Sequence, residues 1–156
     1  MTLKELRNSK QLTQKQVSEM VGISLRSYKQ YENENDKKNT IKYMYIFERL
    51  SEYGYIDENT GVLELETIKQ VVSEVFEIYP VEYCFLFGSY STNEANESSD
   101  VDLLVSTKIT GMDFFGLAEV LREKLHKKVD LLNVEQLSNN TELLNEVLKK
   151  GIKIYG

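Results

Sequence analysis

Two aspartates separated by one valine stand at the mouth of an apolar run, Asp100-Val101-Asp102-Leu103-Leu104-Val105. Successive side chains of a β-strand leave opposite faces, so a strand here puts Asp100 and Asp102 on one face and Val101 on the other. Asp is depleted in strands, and two like charges side by side repel and resist desolvation. A divalent cation held between them answers both costs; two solvated acids at a strand start are the plain alternative. Ten residues separate Asp100 from Gly88-Ser89, which closes the aromatic-rich run Val81 to Phe87. A glycine after a strand lets backbone N–H groups turn toward an anion and approach it closely, and the Ser89 hydroxyl can join them. Alone that pair is an ordinary turn; its distance from the two aspartates gives it weight.

The surrounding pattern predicts a small α/β unit with a mixed sheet and flanking helices. Leu65, Ile68, Val71, Val72, Val75, Phe76 and Tyr79 recur at helical spacing, and Pro80, the only proline, ends that helix. Strands are expected over Val81–Phe87, Val101–Val105 and Val129–Val134, with a helix marked by Phe114, Ala118, Leu121 and Leu125 between the last two. A final helix with Leu143, Leu144, Val147 and Leu148 inside ends at Gly151 and leads into Ile152–Tyr155.

The front of the chain reads as all-α. Leu3 and Leu6 share a face, and Thr13-Gln14-Lys15-Gln16 is a capping box followed by Val17 and Met20. Gly22 stops that helix, and Ser24 can cap a third with Tyr28 and Tyr31 inward. Leu25, Arg26, Lys29 and Gln30 are left outward, including cations and an amide that reach phosphates and base edges. A polar loop, Asn33 to Asn39, precedes another helix over Ile41–Ser51. The turn-rich stretch Tyr53 to Gly61 then separates a first domain, 1–58, from a second, 62–156.

Charge follows the same division. Residues 1–50 hold ten Lys/Arg and six Asp/Glu, a net +4, which leaves −10 on the remaining residues to make the chain's −6. A basic module thus precedes an acidic one, as expected of a nucleic-acid-facing part joined to a part whose acids serve cations; an acidic solvated surface is the plain alternative. The apolar stretches are strand-sized, and the opening Met1-Thr2-Leu3-Lys4-Glu5 mixes acid and base, so neither a membrane span nor a signal peptide is expected and the cytoplasm is the expected compartment. Cys84, alone in the chain, reads as a buried strand thiol. His126 reads as a solvated residue at a helix end, and Lys127-Lys128 as surface.

Gly88-Ser89, the ten-residue interval, Asp100-Val101-Asp102 and the following Leu-Leu-Val resemble the minimal nucleotidyltransferases of the DNA polymerase β superfamily. Lys128-Val129-Asp130-Leu131-Leu132 resembles that family's next strand, which implies Asp130 as third carboxylate, and Lys150 to Tyr155 resembles its last strand. The resemblance covers about residues 64–156. It implies Mg²⁺ (or Mn²⁺) on Asp100, Asp102 and Asp130, ATP phosphates cradled by Gly88 and Ser89, and Asp130 either on a second metal or accepting the attacking proton. Many relatives carry a basic residue and a glycine shortly after the Gly-Ser. Tyr90-Ser91-Thr92-Asn93-Glu94 departs from that, which implies a weaker triphosphate contact.

Leu12-Thr13-Gln14, Val21-Gly22-Ile23-Ser24 and Tyr31-Glu32-Asn33 resemble the lambda-repressor/Cro type of helix-turn-helix, over roughly residues 1–56. That resemblance assigns Gln14 to the DNA backbone and Leu25, Arg26, Lys29 and Gln30 to the major groove. It also implies contact between Arg7 and Glu32. The combination resembles antitoxins paired with HEPN-type ribonuclease toxins, in which AMP is added to a toxin tyrosine and operator DNA is bound, as a dimer or a hetero-oligomer with the toxin. A transcription regulator whose nucleotidyltransferase fold only binds nucleotide or protein is the main alternative, and transfer to a small molecule such as an aminoglycoside is a third.

Overall fold

The first four helix starts in this chain are set by side-chain hydroxyls. Thr2 and Thr13 each accept from the N–H three residues on and are answered by Glu5 and Gln16, while Ser24 and Thr40 cap the next two helices in the same way. The computed structural model describes residues 1–156 and divides into units Met1–Tyr55 and Ile56–Gly156.

The first unit contains α1 (Leu3–Ser9), α2 (Gln14–Val21), α3 (Leu25–Asn33) and α4 (Ile41–Glu52). Gly22 ends α2 in the left-handed region at φ 73°, which tightens the turn into α3. Leu3, Leu6, Val17, Val21, Tyr28, Tyr43, Ile46 and Leu50 form its core. Arg7 meets Glu32 as expected: Nε and Nη2 donate to the two carboxylate oxygens at 3.0 and 2.9 Å, and Nη1 reaches the Leu12 carbonyl at 2.9 Å.

The second unit runs α5 (Leu65–Phe76), β1 (Val81–Phe87), β2 (Val101–Thr107), α6 (Gly111–Leu125), β3 (Val129–Asn133), α7 (Thr141–Lys150) and β4 (Ile152–Tyr155). The sheet order is β3-β2-β1-β4; β1 lies antiparallel to both β2 and β4, and β2 is parallel to β3 across α6. The alternation of β2 divides the core. Val101, Leu103 and Val105 pack with residues of α5 and α6, whereas Leu104 packs on the other face with Phe87, Leu137 and Val147 of α7.

Three local expectations are corrected. Lys127 is fully buried rather than on the surface. Leu144 and Leu148 are exposed, because α7 crosses a narrow strip of sheet that receives only Leu143 and Val147. Val134 leaves β3 to begin a short 3-10 turn, whose cap is Asn133. No helix is long and apolar enough to cross a membrane.

Candidate active site

The β1–β2 register sets Phe87 opposite Asp102, and the residue after Phe87 must turn sharply out of the sheet. Gly88 does so at φ 68°. A β-carbon at Gly88 would come within 3.0 Å of Asp102 Cγ, so the absence of a side chain gives the Asp102 carboxylate its seat against the turn. The β2–β3 register places Asp130 opposite Asp102. Since Asp102 alternates with Leu103 and shares its side of β2 with Leu104, both aspartates stand on the face covered by α7. Asp100 lies just before β2 and is exposed, as is Asp130.

Burial pushes the Asp102 carboxyl up to about 6, and the neighbouring charges of Asp130, Asp100 and Glu146 push in the same direction. None of these four acids takes part in an ion pair. Glu146 does not stand out in the sequence, where it is one acid among several on α7. Only the packing of the adjacent Val147 on Phe87 and Leu104 brings it to this face.

The acids do not form a ready-made cluster of three metal ligands. Mg²⁺ commonly takes one or two carboxylates and completes its shell with water and substrate phosphates, so a half-buried Asp102 beside exposed oxygen donors fits such an ion without a closed cage.

Gly88–Tyr90 forms a 3-10 turn in which Gly88 O accepts from Ser91 Oγ at 2.8 Å and Ser89 O accepts from the Glu94 N–H at 2.9 Å. Ser89 is half-buried at this turn. Tyr90 is buried behind it, its hydroxyl accepting from the Leu63 N–H at 3.4 Å. In the first unit, Leu25, Arg26 and Lys29 are exposed on α3, with Gln30 partly buried and accepting from Lys37 Nζ at 3.3 Å. These four and Asn33 and Glu34 line a shallow, open depression of about 480 Å³. The Gln14 amide donates to Glu32 at 3.4 Å.

A mixed sheet with a glycine-serine turn braced beside strand carboxylates is the architecture of a nucleotidyl-transferring domain, here carried on a chain that also has a helix-turn-helix unit. Residues 66–156 match the family described as polymerase beta, nucleotidyltransferase, and residues 2–64 match a helix-turn-helix domain. The chain belongs to the polymerase beta nucleotidyltransferase family. It is similar to proteins of Methanocaldococcus jannaschii named as candidate protein adenylyltransferases. One is 33% identical over 76 residues, covering 47% of this chain and 78% of the relative. A second is 30% identical over 90 residues, covering 55% and 97%. A crystal structure of a toxin–antitoxin with AMP-PNP aligns at 25% identity and a TM-score of 0.50, over 56% of this chain and 73% of that one.

Proposed function

We propose that the chain is an antitoxin that transfers AMP from ATP to a hydroxyl, a tyrosine of a HEPN-type toxin, and that its helix-turn-helix unit binds operator DNA. The observation that carries the transfer is the Asp102 carboxylate seated on Gly88 and faced by Asp130, with no cationic side chain paired to either. A bound Mg²⁺ or Mn²⁺, held by Asp100 and Asp102 with Asp130 at hand, supplies neutralisation of charge at the phosphate oxygens. Gly88 and Ser89 offer the outer phosphates N–H and hydroxyl donors. The acceptor oxygen bonds to the α-phosphorus as the α–β bridging P–O bond breaks, and pyrophosphate leaves with the bridging oxygen and its electron pair. The acceptor's proton passes to Asp130, which is exposed and faces the same side as Asp102. The similarity to a toxin–antitoxin structure with AMP-PNP and to proteins named as adenylyltransferases supports the choice of nucleotide and of a protein acceptor. Exposed Leu25, Arg26 and Lys29, with Gln30 beside them, are the side chains proposed for the operator, and Gln14 for its backbone.

The test incubates the chain, Mg²⁺ and ATP labelled on the α-phosphate with the product of the neighbouring gene. Label is expected on that protein, dependent on Asp100 and Asp102 and abolished when its acceptor tyrosine is changed to phenylalanine. Inhibition of the toxin that persists in the Asp100→Asn, Asp102→Asn chain with no label transferred overturns catalysis in favour of binding alone. Nucleotide turnover without protein labelling points to a small-molecule acceptor.

A further inference from the structure

In the second unit Lys127 is the one charged residue that is fully buried, and the proposed transfer reaction makes no use of it. Its ammonium donates to two main-chain carbonyls far away in sequence, Glu97 O at 2.6 Å and Thr60 O at 3.3 Å. An apolar side chain of that length would fill the space without the cost of desolvating a charge. What the ammonium adds is a pair of directed, charge-assisted bonds.

Those bonds fall on segments that lead into the site. Asn96–Ser99 is a tight polar turn whose hydrogen bonds are largely its own: Asn96 N–H to Ser99 Oγ at 2.9 Å, Ser98 N–H to Asn96 Oδ1 at 3.0 Å and Ser99 N–H to Asn96 O at 3.1 Å. It is tied to the body of the unit by Lys127 and by Glu97 Oε1, which accepts from the Gly61 N–H at 3.4 Å. Asp100 follows that turn directly. On the other side, Lys127 precedes Lys128, whose carbonyl accepts the Val101 N–H at 2.8 Å and opens the ladder that pairs Asp102 with Asp130. The segment around Thr60 is itself pinned, since Glu58 takes a two-pronged contact from Arg122, with Nε at 2.8 Å.

We propose that Lys127 is a positioning residue for nucleotidyl transfer, its buried ammonium fixing the 96–99 turn against β3 and so setting Asp100 relative to Asp102 and Asp130. This rests on the proposed transferase function. The carboxylate before β2 is exposed and sits at the end of a ten-residue excursion from Ser89. Without the tie it wanders, and a displacement of the order of 1 Å in a group that orients a phosphate costs up to about a hundredfold in rate.

Lys127→Met removes the donors and keeps the length; Lys127→Arg keeps donors; Lys124→Met, at the end of α6 nearby, removes an exposed charge as a control. The full-length variants are compared by melting temperature, by kcat and KM for ATP in the labelling assay, and by the Mg²⁺ concentration giving half-maximal rate. Folded Lys127→Met is expected to lose about tenfold to a hundredfold in kcat and to need several times more Mg²⁺, with KM for ATP within about twofold; Lys127→Arg recovers part of the rate and Lys124→Met matches the parent. Parent-like kcat and Mg²⁺ response in folded Lys127→Met overturn the proposal, as does a fall in melting temperature with no change in either. Hydrogen exchange gives a readout that needs neither a folded variant nor transfer. The amides of Asn96, Ser98 and Ser99 are expected to be protected in the parent without ATP, and exchange there at the free-chain rate overturns the proposal. If the parent transfers no nucleotide, the transferase function fails by itself. The Lys127 tie is then judged by that protection and by the thermal shift with Mg²⁺ and ATP.

Discussion

The carboxyl of Asp102 is raised from the ordinary 3.8 to about 6 by burial and by Asp130, Asp100 and Glu146. A carboxyl raised in the folded state binds its proton longer than in the unfolded chain. It therefore favours folding at low pH, and that contribution is lost as pH rises from about 4 through 6. In chelator, Asp102→Asn is expected to melt with the parent near pH 4 and above it at pH 7, with the gap opening across that window; a gap independent of pH would show that the carboxylates do not press on one another. Added Mg²⁺ with ATP should raise the parent's melting temperature and not the variant's. Glu32 runs the other way: burial would raise it, but the hydrogen bonds and charge of Arg7, aided by the Gln14 amide, hold it below the ordinary range. Its side chain is 1% exposed and that of Arg7 13%, so removing one partner strands a charge. Arg7→Met is expected to destabilise the first unit by about 3–5 kcal/mol in denaturant titrations, and Glu32→Gln, which keeps an acceptor, by clearly less.

Elements explain which of these features a one-dimensional reading reaches. The period of a strand is two, so Asp100-Val101-Asp102 is enough to suggest two acids on one side, although β2 begins only at Val101, and Gly88 after an aromatic run is enough to suggest a turn. The seat itself is a cross-strand event between positions 88 and 102, and only the β1–β2 register reveals that a β-carbon at Gly88 meets Asp102. Gly88→Ala is accordingly expected to cut labelling by about a hundredfold through strain at φ 68° and displacement of Asp102, with β1 still formed by circular dichroism; near-parental labelling would remove the turn from the site. Lys127 escapes such a reading because its partners lie 30 and 67 residues away, while its neighbours Lys124 and Lys128 are exposed as a run of lysines suggests. Helical spacing turns Leu144 and Leu148 inward because it predicts a stripe. How wide a stripe is covered depends on the sheet beneath, which periodicity does not report. Glu146 illustrates the same gap, being ordinary on its helix and part of a charged group once that helix is laid on the sheet.

The division of charge along the chain makes DNA binding sensitive to salt. The proposed operator face carries Arg26 and Lys29, whereas the second unit is acidic and offers DNA little attraction. Replacing both with alanine is expected to weaken operator binding and to flatten the plot of log affinity against log salt by about 0.9 for each phosphate no longer neutralised; an unchanged slope would assign the face to protein. The architecture also bears on how the chain comes apart. Tyr53 and Tyr55 are exposed around Gly54, whereas from Ile56 onward the chain is claimed by the transferase fold, through the Glu58 carboxylate on Arg122 and the backbone of Thr60 on Lys127, Gly61 on Glu97 and Leu63 on Tyr90. A protease of broad specificity should therefore nick the native protein around Gly54 and spare 57–63. A gene fusion that borrows only residues 66–156 would leave behind one of the two carbonyls that answer a buried ammonium, whereas one beginning at Ile56 keeps both.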